Sequence, residues 1–239
     1  INFHNIINFI SSFFMKKSIF IFYIILSFSN IFAHESHYKN INKIEMDVLR
    51  NEKVIGYSNY YFEHNEDIMT VENNTKFVVE ILGLKVFSID SKSKEIYQKD
   101  KLISFESKTL QNDKKKFVKL NYDEKKNIFI INGSSYVGKA NTDNIIGNWW
   151  NSKILGTKTQ ISPLSGSIKK QSVKLTGKDE IEFNGKKIKL MQFKLKSTED
   201  LPDDKKLDFD IWLDPNEGII FKVKYNRLGS WEYRLKNYQ

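Results

Sequence analysis

The sequence predicts an all-β fold, mostly antiparallel, organised as a single large curved sheet or half-barrel with one short helix near 142–155. Three observations predict it. Apolar and polar residues alternate with period two, most strictly over Leu207–Leu213, where Leu207, Phe209, Ile211 and Leu213 share one face; that period is the mark of a half-buried strand. Turn-forming residues recur at intervals of about 8–12 residues, the rhythm of sandwiches, barrels and curved sheets. No stretch sustains the 3.6-residue period of an amphipathic helix.

Two opening segments are set aside from the fold. Residues 15–33 follow the order of a secretory signal peptide: basic Met15-Lys16-Lys17, apolar Ser18–Phe28, then Ile31-Phe32-Ala33 with a small residue at the expected cut. The apolar run is short for a bilayer span, which takes about 20 residues. Residues 1–14 precede this basic start and begin with Ile1. We read them as an over-extended start, with Met15 as the true one. The competing reading makes 1–33 one long anchor, which Ser11-Ser12 and Lys16-Lys17 interrupt. The expectation is a single β-rich domain over 34–239, periplasmic after cleavage of the signal.

Along that domain, Ile44, Met46 and Val48 alternate with Glu45 and Asp47, and Asn51-Glu52-Lys53 turns into Val54–Glu63. Asn65-Glu66-Asp67 leads to a long strand region, Ile68–Ile89. Glu95–Tyr97, Leu102–Leu110, Phe117–Tyr122 and Asn127–Asn132 continue the pattern, parted by polar turns such as Asn112-Asp113-Lys114. The helix candidate is Thr142–Leu155, with Thr142 and Asp143 as caps and Ile145, Ile146, Trp149 and Trp150 on one face. Strands follow at Val173–Leu175, Asp179–Phe183 and Lys187–Lys196, with Asn184-Gly185 as a hairpin signal. The adjacent apolar pair Leu190-Met191 suggests a bulge or phase switch. The firmest local prediction is the closing meander: Leu207–Leu213, the turn Asp214-Pro215-Asn216-Glu217-Gly218, Ile219–Tyr225, and a last strand in which Trp231, Tyr233 and Leu235 alternate with Glu232, Arg234 and Lys236.

The formal net charge is +9. Nucleic acid is not the expected partner, because the lysines are spread evenly and Arg50, Arg227 and Arg234 are the only arginines, whereas phosphate and base readers lean on arginine. There is no cysteine. Disulfides, cysteine nucleophiles and thiolate zinc sites are therefore excluded, and no cysteine follows the signal to carry a lipid, so the mature protein is not expected to be a lipoprotein. Stability must come from a packed core, which aromatic residues at 14% can supply.

The order of these segments resembles the DUF6134 family of exported bacterial proteins. The resemblance is carried by Val54-Ile55-Gly56-Tyr57-Ser58-Asn59-Tyr60-Tyr61-Phe62, by Lys94–Leu102, by Trp150-Asn151 followed by Leu155 and Ser162-Pro163-Leu164-Ser165-Gly166, and by the Asp208–Leu235 meander. It covers nearly all of 37–238. Tyr97 stands where the family pattern often has Trp. More distantly the chain is similar to DUF3108 proteins and to the LolA/LolB/LppX-type half-barrel. That resemblance implies a curved antiparallel sheet around a hydrophobic cavity, and its link to lipid handling is an analogy of fold.

Candidate chemistry is sparse. The new amino terminus with His34 and His37 offers nitrogen ligands for copper or nickel, against the plainer reading of a loose terminus. His64 lies beside a turn. No Gly-x-Ser-x-Gly elbow occurs, and Gly133–Lys139 lacks the phosphate-loop spacing and reads as a β-turn region. Asp208 and Asp210 share a strand face about 7 Å apart, a separation open to an inverting glycosidase; pairing with Lys222 and Lys224 on the next strand is the plainer reading. Trp149-Trp150 is either a binding platform or a plug at one end of the sheet. No cofactor is expected. The leading function is a non-enzymatic periplasmic protein whose concave face holds a lipophilic small molecule on Phe77, Val79, Ile81, Phe129, Ile131, Trp149, Trp150, Phe209, Ile211, Phe221 and Val223. The alternatives are a structural or interaction module with a self-filled core, meeting cell-envelope proteins, and an envelope-glycan enzyme using Asp/Glu pairs. Ligand identity, oligomeric state and closure of the sheet stay open at this level.

Overall fold

The computed structural model describes residues 35–203 and 205–239. The signal segment, residues 1–14 and His34 lie outside them. The unit Phe32–Gln239 is compact by itself, and all strands and apolar clusters below fall within it, so it holds a complete core of its own. Among the described residues there is no α-helix, and no helix is long and apolar enough to cross a membrane.

The chain forms one 15-stranded sheet. After a 3-10 turn at Glu35–Asn40, strand β1 (Lys43–Arg50) pairs on one side with β2 (Lys53–Asn65) and on the other with the last strand, β15 (Ser230–Tyr238). From β2 the first arm proceeds by hairpins through β3 (Ile68–Ile81), β4 (Leu84–Gln98), β5 (Lys101–Gln111), β6 (Lys114–Asp123), β7 (Ile128–Gly133) and β8 (Tyr136–Asn141). The second arm comprises β9 (Ile145–Ile146), β10 (Thr159–Ile161), β11 (Ile168–Phe183), β12 (Lys186–Ser197), β13 (Asp208–Leu213) and β14 (Ile220–Asn226). All neighbours are antiparallel except β9 and β10, which are parallel. Strand order in the sheet is therefore chain order, joined at β1–β15 and cut between β8 and β9. The sheet is not closed into a barrel.

The inner face follows from alternation. Met69, Val71, Asn73, Thr75, Phe77 and Val79 lie on one side of β3, and their burial maps two apolar clusters with a polar band between them. The larger cluster includes Tyr38, Met46, Leu120, Phe129, Trp150 and Ile161. The smaller one joins Val48, Phe77, Val79, Ile89 and Trp231. In the band between, hydroxyls satisfy each other: Ser58 and Thr75 lie 2.7 Å apart, as do Ser91 and Thr109. Buried hydroxyls without partners would be costly, so pairing across neighbouring strands is what permits a polar band inside.

The segment between β8 and β11 folds over the concave face, carrying β9, the 3-10 turn Ser152–Leu155 and β10. Ile146, Trp150, Ile154 and Ile161 are all buried there. Its last loop is fastened to the first arm: Ser135 N donates to Ser165 O at 2.9 Å, and Ser107 Oγ to Pro163 O at 2.5 Å. Gly133 makes this approach feasible, since a Cβ there would sit 2.6 Å from Ser165 O.

Several sequence expectations are corrected in detail. The region Ile68–Ile89 is two strands, because a two-residue turn at Leu82-Gly83, both at positive φ, reverses the chain. The short helix near 142–155 is present only as the 3-10 turn Ser152–Leu155. Its cap is Asn151, whose Oδ1 accepts from Lys153 N at 3.1 Å, not Thr142 or Asp143; the preceding Ile145-Ile146 is extended and paired with β10. Gly133–Lys139 holds the β7–β8 hairpin rather than turns alone. Residues 173–183 belong to one continuous strand. Burial does change phase between Leu190 and Phe193, with the register shift on the opposite strand, between Leu175 and Gly177.

Candidate functional site

The most unusual side chain inside the sheet is Glu95. Strand β4 turns Ile89, Ser91, Ser93, Glu95 and Tyr97 toward the interior, so alternation alone carries a carboxyl to a position that is 1% exposed. Three donors meet it. Tyr97, two residues on and on the same face, donates its hydroxyl to Oε2 at 2.6 Å. Asn148 Nδ2 and Trp150 Nε1 donate to Oε1 at 2.6 and 3.0 Å. Burial pushes the Glu95 carboxyl up to about 7, and the hydrogen bonds from Tyr97, Trp150 and Asn148 hold that rise down. No cation and no second carboxylate is among the groups that set its charge.

The two donors from Asn148 and Trp150 belong to the segment folded over the concave face, so Glu95 ties that segment to the sheet. Trp150 is fully buried and is held from several directions. Its ring makes edge contacts with Tyr38, Phe62 and Tyr97 at centroid distances of 5.1, 5.4 and 5.7 Å. Tyr38 Oη lies 2.7 Å from the Trp150 carbonyl and 2.8 Å from that of Gly218, linking the amino-terminal turn, the inserted segment and the closing meander. Tyr60 Oη accepts from Trp149 N at 3.2 Å, and burial pushes that phenol up to about 12. The arrangement is suited to anchoring. A single carboxyl met by three donors, two of them from the inserted segment, acts as a latch between that segment and the sheet.

The predicted lining residues are distributed unequally. Phe129, Ile131, Trp150 and Phe221 lie in the larger cluster, Phe77 and Val79 in the smaller. Ile211 and Val223 are fully buried. Trp149 is half-buried, 5.0 Å from Phe209 and 6.2 Å from Tyr233. Ile81 does not line the concave face: the turn after it puts it on an overhanging hairpin tip, 48% exposed. Asp208 and Asp210 are indeed taken up by a lysine, but from β12: Lys194 reaches them at 2.6 and 3.1 Å. Lys222 instead lies over the Trp212 ring at 4.0 Å, and Lys224 pairs with Glu232. His64 is the last residue but one of β2 and is exposed. Of His37 only the backbone is described. Among the described residues no group of three or more His, Cys, Asp or Glu is arranged to hold a metal. A depression of about 230 Å³ lies on the outer face, lined by polar groups such as Tyr57, Asn59, Lys76 and Asp90.

Sequence reasoning missed Glu95, Tyr97, Asn148, Tyr38 and Tyr60 as one constellation. The signal for Glu95 was present: a charged residue in the apolar phase of a strand, two before an aromatic.

Comparison with known proteins gives the fold company. The model of a domain of unknown function, DUF6134, matches residues 46–236. A crystal structure of a β-barrel-like protein of the domain of unknown function DUF1849 from Brucella abortus aligns with a TM-score of 0.58 at 11% identity, covering 83% of this chain and 97% of that one. At that identity the likeness is one of fold. No curated protein matches in sequence.

Proposed function

The chain belongs to the DUF6134 family, a domain of unknown function, and from that premise we propose that it is a non-enzymatic, exported protein of the cell envelope. Its curled sheet is a self-filled scaffold that works through its surfaces. One observation carries the reading: the concave face, where a lipophile would lie, is occupied by the protein's own inserted segment, with Trp150 fully buried and bonded to Glu95. A carrier of lipophilic ligands keeps an apolar cavity of about 300–1,000 Å³. Here the same apolar side chains are spent on one another. The support for export is the segment Met15–Ala33.

Native mass spectrometry with solvent extraction, on protein recovered from the periplasm of expressing cells, tests both parts. The expected result is an apo mass beginning at His34. A lipophile at near-stoichiometric amount would overturn the self-filled reading in favour of a carrier, and an unprocessed amino terminus would overturn export.

A further inference from the structure

We propose that one end of the sheet is a docking surface for an anionic lipid bilayer, entered by the tips of two hairpins. The inference deepens the envelope reading and rests on it for its setting. The strand directions place the β1–β2, β3–β4, β5–β6 and β14–β15 turns at the same end. Two of these turns are chemically odd. In the tight turns at Asn51, Asn112 and Asn184 the first positive-φ position is asparagine, the residue that tolerates it best. At the β3–β4 and β14–β15 turns that place is held by Leu82 (φ 52°) and Leu228 (φ 50°). Each is followed by a glycine.

A leucine in the left-handed region is strained, and burial is the ordinary compensation. Here there is none within the protein: Leu82 is 97% exposed and Leu228 90%. Leu84 and Ile81 on the same hairpin are also exposed. Both turns are rooted in one aromatic cluster, since Trp231 lies 5.7 Å from Phe77 and 6.3 Å from Phe87. Arg50 fixes the second turn by donating to Leu228 O and lying over the Trp231 ring. The apolar tips are thus held on a firm base.

Charge selects the occupant. Lys53 and Lys85 stand beside the tips, and Lys114 and Lys115 stand further back on the same end, level with Ile89 and Asp90 of β4; all four are exposed and in no ion pair among the described residues. The acidic residues of the same turns, Glu52, Glu80 and Asp113, are fewer, and on the other arm Asp200 and Asp203 already pair with Lys206. The opposite end mixes the two signs closely, with Glu66-Asp67 and Asp123-Glu124 in its turns beside Lys99, Lys125 and Lys126. Protruding leucines with lysines beside and behind them suit a surface of apolar depth beneath negative headgroups: the leucines enter the acyl boundary and the lysines meet phosphate.

Co-sedimentation of residues 35–239 with vesicles tests this. Phosphatidylglycerol/phosphatidylethanolamine vesicles should bind the protein about tenfold or more tightly than phosphatidylcholine vesicles, with the difference shrinking in high salt. Leu82→Asp with Leu84→Asp should lower binding about tenfold or more, and so, independently, should Lys85→Gln with Lys114→Gln and Lys115→Gln. Absence of wild-type binding, or binding equal in wild type and both variants, overturns the proposal while leaving export and the self-filled core untouched. A concentration-dependent dimer abolished by the leucine variant also overturns it, assigning the tips to a second copy of the chain.

Discussion

Glu95 occupies a place where the alternation of β4 calls for an apolar side chain, and burial there makes its carboxyl hold its proton into the neutral range. Its folded value of about 7 lies above the value of about 4.3 that an unfolded glutamate shows. Between those values the folded chain holds more protons than the unfolded one, so this group's contribution makes stability fall as pH rises. Below that window the group imposes no charge penalty. Above it the penalty is complete, on the order of 3 kcal/mol. Glu95→Gln removes the charge and keeps an acceptor for Asn148 and Trp150. Urea midpoints of both proteins between pH 4.5 and 8 should therefore diverge, with the variant gaining on wild type as pH rises. Carboxylates held low by partners, such as Glu45 and Glu232, change stability in the opposite sense and cancel in the difference. Parallel curves would mean that Glu95 is not the group that resists ionisation.

At the scale of elements, the hairpin β3–β4 shows how a strained turn trades stability for surface. Leu82→Asn places in the left-handed position a residue that accepts it, and the side chain removed has no burial to lose. Thermal unfolding should show the variant more stable by about 0.5–1 kcal/mol; an unchanged or lower midpoint would mean that Leu82 makes stabilising contacts in solution. The same turn explains what the sequence hid. Turns written in asparagine, aspartate and glycine were legible: Asn51-Glu52, Asn65–Asp67, Asn184-Gly185 and Asp214–Gly218 all reverse the chain as expected. A turn written Leu82-Gly83 between apolar neighbours carries no such signal, so two strands read as one. The interior split likewise. Phe129, Ile131 and Phe221 declared themselves by period two, whereas the Glu95 donors Asn148 and Trp150, and the Tyr38 and Tyr60 hydroxyls that hold Trp150 and Trp149, are brought together by long-range contacts that local patterning does not encode.

For the whole molecule, the controlling fact is that strand order follows chain order around the sheet, with β1–β15 as the one pairing, among the described strands, between distant parts of the chain. The two ends of the folded unit are already bonded there: Asn42 N and Lys43 N donate to Gln239 O, and Gln239 N donates to Lys43 O. The cut between β8 and β9 falls where no strand pair would be lost. A circular permutant that joins Gln239 to Glu35 through a short flexible linker and opens the chain at 142–144 keeps every strand pair and the Glu95–Trp150 latch. If packing alone seats the inserted segment, this permutant unfolds in one cooperative transition within about 10 °C of the parent, a shift worth a few kcal/mol at most. Loss of cooperativity, or a near-ultraviolet dichroism that no longer shows a rigid tryptophan environment, would mean that the 141–145 connection is needed to deliver Trp150 to Glu95. The outcome bears on function directly. A segment seated by its own packing belongs to a permanently filled scaffold, and one that depends on its tether is a plug that the molecule can release.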